Sequence, residues 1–484
     1  MSNNNIFFSV VWKFLNGGTV QVIQLAVSII VARLLLPEDF GVVALLLVFT
    51  SIATVFVQSG LGTALIQRKE ITQIELSSVF YYTFFIAFIL YVILFILAPY
   101  VETFYKAEGM VTYLRILAIV LFPGSYNTIQ NALLARRMLW KSQCLCNIVS
   151  ISIAGGLGIW FAYEGTGVWA IIIQQLSYQI LICITLAFVI RWKPSLVISI
   201  KQSMPLFKYG FNLLFANIID TIYHNLENLI IGKKYPSEVL AFFTKGKMFP
   251  LVVTNNVDGA LQTVMLPVLS SRQDSKSELR TMLRKSISTS SMILFGGLTT
   301  LALCAEPLIK ILLGENWIEA VPFLQWYCLI GMTFPLQTSS AQAINALGLS
   351  SIYLKIMSFK RIMGIILLVS FTIFFKSVYA IVFAAFLVEV LSIFLHMWYN
   401  MKLLRYSITE QIRDIIKYIF GVIFLLIVYI LMESLLPQNP YAEILTIGLL
   451  SIVIYMFVLY ILKSEEQKYL LHKLLYRSKI FLIH

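Results

Sequence analysis

The chain has 484 residues, of which 59% are hydrophobic and only 12% charged, with a formal net charge of +13. Soluble domains carry about 25% charged residues, so this composition excludes a soluble protein and points to a polytopic membrane protein. No Lys/Arg block stands clear of the apolar segments, and basic residues punctuate the connections instead, which argues against nucleic-acid binding.

A membrane-crossing helix needs about 20 apolar residues, and that length divides the chain into about fourteen expected spans. In chain order they cover 10–33, 39–63, 76–99, 111–135, 144–162, 167–190, 207–231, 238–268, 288–312, 318–346, 360–375, 378–400, 414–435 and 441–462. The opening MSNNNIFF lacks a basic run and a small-residue cleavage site, so the first span is expected to be retained. Its polar residues include Asn16, Gln21, Gln24 and Ser28, the last three at i, i+3 and i+7. The second repeats this with Ser51, Thr54 and Gln58, and the fourth carries Tyr126, Asn127, Gln130 and Asn131. The seventh holds Asn217, Asp220, His224, Glu227 and Asn228, and the eighth holds Lys245, Lys247, Asn255, Asp258 and Gln262. Gln337, Ser340 and Asn345 follow in the tenth, then Glu389, Ser392 and His396 in the twelfth.

The five cysteines have no metal-ligand spacing and read as small apolar residues, so no metal and no cofactor is expected. Most lysines and arginines fall on alternate connections, which places both termini on the cytoplasmic side. An even number of spans requires the same.

The two halves repeat. Phe122-Pro123 aligns with Phe334-Pro335, and Asn131-Ala132-Leu133 aligns with Asn345-Ala346-Leu347. Each repeat holds an even number of spans, so the halves share one topology, a transporter layout with the substrate site between them. The expected organisation is a six-helix bundle at 1–200, a second at 201–405, two additional helices at 406–462 and a cytoplasmic tail at 463–484.

IIVARLLLPEDFGVVAL at 29–45 resembles the signature of Wzx-type polysaccharide flippases, within the multidrug/oligosaccharidyl-lipid/polysaccharide exporter superfamily. EVLAFFTKGKMFPLVVTNNVDGALQTVMLPVLSS at 238–271 is similar to a second pattern of that family, with Phe243 and Thr244 replacing the expected tyrosine and small residue. The resemblance implies an all-α polytopic fold, two parallel six-helix bundles in a V plus two C-terminal helices. It also implies transport of undecaprenyl-pyrophosphate-linked oligosaccharide from the inner to the outer leaflet of the bacterial cytoplasmic membrane by alternating access, for O-antigen, capsule or exopolysaccharide assembly. Membrane lipid and the polysaccharide polymerase and export machinery are the other expected partners.

Sugars and a diphosphate cannot cross hydrocarbon unaided, since each unpaired polar group there costs several kcal/mol. A path for them needs amides, hydroxyls and aromatic faces for the sugars, and cations for the diphosphate. Asn16, Gln21, Gln24, Gln58, Asn127, Gln130, Gln337 and His224 are the candidate sugar contacts, with Lys245 and Lys247 for the diphosphate. Asp220, or else Glu227, is the candidate for a coupling proton or sodium ion. A Glu227–Lys245 salt bridge and helix–helix hydrogen bonding are the competing structural readings. The alternative functions are a cation-coupled drug antiporter of the MATE branch, disfavoured because the first span carries no acid, and a lipid-linked-sugar ligase or polymerase. The last is an enzyme, and it is disfavoured by external connections that are short and free of histidine.

Overall fold

In an apolar surrounding, backbone N–H and C=O groups must pair within their own segment, so long apolar runs wind into helices. The structure, a computed structural model, describes residues 3–58 and 60–468, without the side chains of 3–11, 13–15, 200–202, 212 and 216. The expected tail beyond 468 lies outside the described residues. The helices are α1 (Asn3–Leu34), α2 (Pro37–Gln58), α3 (Leu61–Gln67), α4 (Gln73–Tyr105), α5 (Met110–Leu117), α6 (Leu121–Arg136), α7 (Trp140–Tyr163), α8 (Val168–Ile190) and α9 (Ile200–Lys234). They continue with α10 (Ser237–Ser270), α11 (Lys276–Leu303), α12 (Ala305–Leu312), α13 (Val321–Gly331), α14 (Phe334–Ala346), α15 (Ser350–Phe374), α16 (Val378–Leu404), α17 (Ile408–Met432) and α18 (Pro440–Ile461). No strand occurs among the described residues.

Polar side chains set the helix ends. Thr72 with Glu75 and Ser407 with Glu410 form reciprocal capping boxes on α4 and α17. At the other end, Lys106, Arg191 and Arg405 close α4, α8 and α16 in the left-handed region, at φ of 55°, 53° and 53°. That conformation costs a non-glycine residue about 1–2 kcal/mol, and each cap N–H bonds back to the last turn, to Glu102, Ala187 and Asn400. A cation at a helix C-terminus also meets the negative end of the dipole.

Among the described residues, ten segments are long and apolar enough to cross a membrane: α1, α2 with α3, α4, α7, α8, α11, α15, α16, α17 and α18. The expected spans missing from this set are 111–135, 207–231, 238–268 and 318–346. Two of them, as α9 and α10, are long helices that are too polar to qualify. The other two are broken: 3-10 turns at 118–120 and 315–320 interrupt them, and α13 ends at Gly331 before α14 begins. Both breaks precede the aligned Phe-Pro pairs, because proline lacks an N–H and is tolerated in a first turn. One boundary is corrected substantially. The span expected at 360–375 begins at Ser350, so Lys360 sits inside α15 rather than in a connection.

The chain divides into two compact units, Met1–Ala241 and Phe242–His484. The first therefore includes α9, and α10 begins in it and continues into the second. In the first unit α7 and α8 form a tight antiparallel pair with α1 laid along α7, and α2 packs on α9. Gly41 of α2 admits the start of α10 beside it. A Cβ there would lie 1.8 Å from the Ser237 carbonyl oxygen.

The second unit is held by a ladder between α11 and α17 at i, i+4 and i+8 on both helices. Arg280 pairs with Glu410, Arg284 grips both oxygens of Asp414 at 2.8 and 2.9 Å, and Ser288 meets the Tyr418 hydroxyl at 2.7 Å. Glu466, beyond α18, accepts from Lys417 at 2.7 Å and from Tyr418 at 3.0 Å. Burial alone would raise its carboxyl, but the Lys417 hydrogen bond holds it down at about 2. Above that ladder the Tyr455 ring of α18 lies against Gly296 and Gly421. α17 and α18 are thus fastened to α11 within the second unit.

A second polar network crosses α14, α15 and α16. Lys360 Nζ lies 2.7 Å from Glu389 and donates to Gln337 Oε1 at 3.1 Å. Gln337 Nε2 donates to Glu389 at 2.8 Å, and Ser392 donates to Gln337 Oε1 at 3.0 Å. Buried His396 bonds the Ser392 carbonyl through Nδ1 at 2.8 Å. A charge pair away from water holds only when its remaining lone pairs and protons are met, and Gln337 meets them on both sides.

Two stability predictions follow from these contacts. Gly41→Ala forces a methyl into a backbone oxygen and should cost at least ~1–3 kcal/mol, lowering the thermal unfolding midpoint in detergent. Gly156→Ala, with nothing within 4 Å of the added carbon, should leave the midpoint unchanged or raised. Lys360→Met strands Glu389 and should cost toward the lower end of ~3–5 kcal/mol, since both side chains keep some exposure. Adding Glu389→Gln should recover most of the loss; an unimproved midpoint in the double variant would mean that Lys360 acts through packing rather than charge.

Candidate functional site

The broken helix of the first unit builds a polar cavity. Its second half, α6, turns Asn127, Thr128 and Asn131 inward, while Gly124 adds no side chain opposite Gln179. From below, α3 closes the space with Gly60, Gly62, Thr63 and Ile66. Gly60 has φ of +65°, and a Cβ there would lie 2.6 Å from Leu213, so glycine is required both by conformation and by space. Arg136 fixes the far end of α3. Its guanidinium donates to the carbonyls of Leu65 and Ile66 at 3.1 Å, of Lys69 at 2.8 Å, and of Arg68.

The remaining walls are Gln58 of α2, Gln143 and Asn147 of α7, Tyr178 and Gln179 of α8, and Asn217 of α9. The space measures about 480 Å³, within the ~300–1,000 Å³ typical of ligand pockets. No charged side chain lines it among the described residues. Part of the wall is already locked: Asn147 donates to Asn16 Oδ1 at 3.0 Å and accepts from Tyr178 at 3.3 Å. Asn127, only 6% exposed, keeps its Oδ1 without a hydrogen-bond partner among the described residues.

The residues singled out in the sequence divide clearly. Gln58 and Asn127 line the cavity, and Asn16 supports it through Asn147. Gln130, one turn beyond Asn127, points elsewhere and donates to the Cys183 carbonyl at 2.9 Å, tying α6 to α8. Gln21 and Gln24 of α1 are outside the lining. On α9, Asn217 lines the cavity, and Asp220 and His224 continue its face at i+3 and i+7. Those two pair at 3.6 Å while 43% and 71% exposed. Glu227 lies one turn further along the first unit's α9 and is half-buried. In the second unit, Lys245 is 6% exposed with its ammonium 5.9 Å from the Trp317 ring, and Lys247 lies 4.2 Å over Phe243. Gln337 belongs to the Lys360–Glu389 network and not to an open site.

Sequence reasoning passed over Gln143, Asn147, Tyr178 and Gln179. The signal was present, since Gln143 with Asn147 and Gln175 with Tyr178 and Gln179 fall at i, i+3 or i+4, but on spans apolar enough to read as lipid-facing.

Known proteins resemble this chain in sequence and in fold. Teichuronic acid biosynthesis protein TuaB of Bacillus subtilis is 20% identical over 84% of this chain and 84% of its own. Succinoglycan biosynthesis transport protein ExoT of Rhizobium meliloti is 23% identical over 61% of this chain and 60% of its own length. Lipopolysaccharide biosynthesis protein WzxC of Escherichia coli is 19% identical over 63% and 62%. The fold matches the solved lipid II flippase MurJ in its inward closed conformation, at TM-score 0.75, 14% identity, 93% of this chain and 98% of that one. It also matches an inward-facing MATE multidrug transporter at TM-score 0.60 and 15% identity, over 80% and 96%. Residues 30–322, more than half of the sequence, match the family described as polysaccharide biosynthesis protein. The chain is a multi-pass membrane protein and belongs to that family.

Proposed function

We propose that this protein is a flippase that carries undecaprenyl-pyrophosphate-linked oligosaccharide from the inner to the outer leaflet of the bacterial cytoplasmic membrane. The observation that carries the reading is the uncharged, amide-lined cavity of the first unit, in a chain whose relatives bear the names of polysaccharide biosynthesis and transport proteins. Amides and a tyrosine ring suit sugar hydroxyls, as a wet path through hydrocarbon requires. A transporter, rather than a ligase or polymerase, is the reading the relatives' names and the fold likeness support. A drug antiporter is supported by fold likeness alone.

In this reading about fourteen spans form two six-helix bundles opening as a V, with two more helices beside the second and both termini in the cytoplasm. Under that orientation the cavity belongs to the cytoplasmic half of the first unit, because its floor, α3, leads into the basic connection at Arg68 and Lys69. Sugars enter there from the inner leaflet. Lys245 and Lys247 attract the diphosphate, while the polyprenyl tail stays in lipid. Asp220, on the cavity-lining face of α9, takes up the coupling proton or sodium ion, with Glu227 as the alternate. Delivery to polysaccharide polymerase or export machinery completes the route.

Deleting the gene should trap lipid-linked oligosaccharide on the cytoplasmic face, and normal surface polysaccharide in a strain without a paralogue would refute the flippase. Lys245→Ala with Lys247→Ala should abolish export while protein levels persist. Asp220→Asn should remove the dependence of export on the ion gradient; export that stays full and gradient-driven would exclude Asp220 as the coupling group.

A further inference from the structure

Three features of the first-unit cavity bear on which sugar it accepts. Its lining of amides, hydroxyls, glycines, a tyrosine and the aliphatic Ile66, Ala132 and Ile182 contains no acid and no base. Of the cations near its floor, Arg136 spends its donors on four carbonyls at the end of α3, Arg137 donates to the Ile190 carbonyl at 3.4 Å, and Arg68 pairs with Glu75 at 2.9 Å. Lastly, Asn127 Oδ1 is a buried acceptor without a partner among the described residues, and since it shows almost no surface to the open space, a ligand meets it through a turn of the Asn127 side chain.

An unmet acceptor calls for a donor. A sugar hydroxyl or an acetamido N–H supplies one, and a hydroxyl also accepts, so it can satisfy an amide from either end. A carboxylate or phosphate brings only acceptors. It would face Asn127 Oδ1 as oxygen against oxygen, shed its hydration, and find no counter-charge in return. Tyr178 is held by its hydroxyl on Asn147, so its ring stays in place as an apolar wall for the C–H face of a pyranose.

We infer that this cavity is a subsite for uncharged sugar residues, hexoses or N-acetylhexosamines, and that it discriminates against uronic acids and phosphorylated sugars. The inference rests on the flippase reading for its ligand class and adds the charge of the glycan unit that is held there. The cations at Lys245 and Lys247 lie in the other unit, so the neutral subsite and the diphosphate contacts are separate elements of the chain.

The test uses the full-length protein in lipid nanodiscs and saturation-transfer NMR at pH 7, with methyl β-glucoside, methyl N-acetyl-β-glucosaminide and methyl β-glucuronide as probes. The neutral glycosides should receive saturation, and the glucuronide should bind about tenfold more weakly or not at all. Asn127→Leu, close in size but without the amide, should weaken the neutral probes by about tenfold with an unchanged unfolding midpoint. Gln179→Arg, which puts a cation into the wall, should strengthen glucuronide binding and guards against a poorly folded Asn127 variant. Glucuronide binding as tight as glucoside, no binding of either neutral probe, or full binding to folded Asn127→Leu would each overturn the inference. Failure of the flippase reading is distinct: it would appear as normal export in the deletion strain, whatever the probes do.

Discussion

An unpaired polar group in hydrocarbon costs several kcal/mol, and that cost governs where every polar side chain of this molecule lies. A soluble protein can leave an asparagine at its surface without consequence. Here each one must be paired, wetted or hidden by a neighbouring helix. The four expected spans that fail the length and apolarity test are those that carry Asn127 and Gln130, Asp220 and His224, Lys245 and Lys247, and Gln337. The first-unit cavity draws on both kinds of segment: Asn127 and Asn217 come from spans that fail the test, Gln58, Asn147 and Gln179 from spans that pass it.

The two units meet the same constraint in opposite ways. In each, a helix breaks ahead of a Phe-Pro pair and resumes with amides and hydroxyls. In the first unit those groups face an open space, and one acceptor is left unmet. In the second, Lys360 and Glu389 fill the corresponding region, and Gln337, Ser392 and His396 close the network around them. An internal salt bridge of this kind contributes little net stability, but it is costly to break by removing one partner. It fixes the relative placement of α14, α15 and α16 and commits Gln337 to the charge pair rather than to an open space. The α11–α17 ladder adds to that fixity, with α18 wedged behind it through Tyr455.

Much of this was legible in the sequence. Composition and hydropathic length identified the all-helical membrane fold, and PEDFGVVAL carried the family resemblance that the comparisons support. The structure supplies the reason for part of that motif: Gly41 is where the first residue of α10, Ser237, presses its carbonyl against α2, and Asp39 accepts from Leu36 at the start of the helix. Lys360 was misplaced, because its span was started at the Lys360-Arg361 pair, whereas the helix already winds through the ten residues ahead of it, in which Lys355 and three serines interrupt the apolar run. For Gln130 the limit of spacing is a different one. Spacing puts it on the face of Asn127, but a side chain one turn away can rotate to a neighbour's carbonyl, and only coordinates reveal the Cys183 acceptor. Gln143, Asn147 and Tyr178 stayed hidden because single polar residues in an apolar helix give no sign of pointing at one another.

A neutral cavity also suits transit better than a charged one. A carrier must hold its load strongly enough to displace water and weakly enough to let go. Hydrogen bonds between amides and sugar hydroxyls replace bonds to water almost one for one, and each nets only about 0.5–1.5 kcal/mol. Several such bonds orient a ring without trapping it. A buried ion pair behaves differently: once formed it is expensive to separate, since each partner must be rehydrated or left bare. The first unit keeps charge out of its cavity by committing Arg136 and Arg137 to backbone carbonyls, and the second keeps Lys360 and Glu389 bound to each other. A sugar that enters the amide cavity thus meets only contacts that are individually weak and locally replaceable by water, and so reversible on the timescale of a conformational cycle.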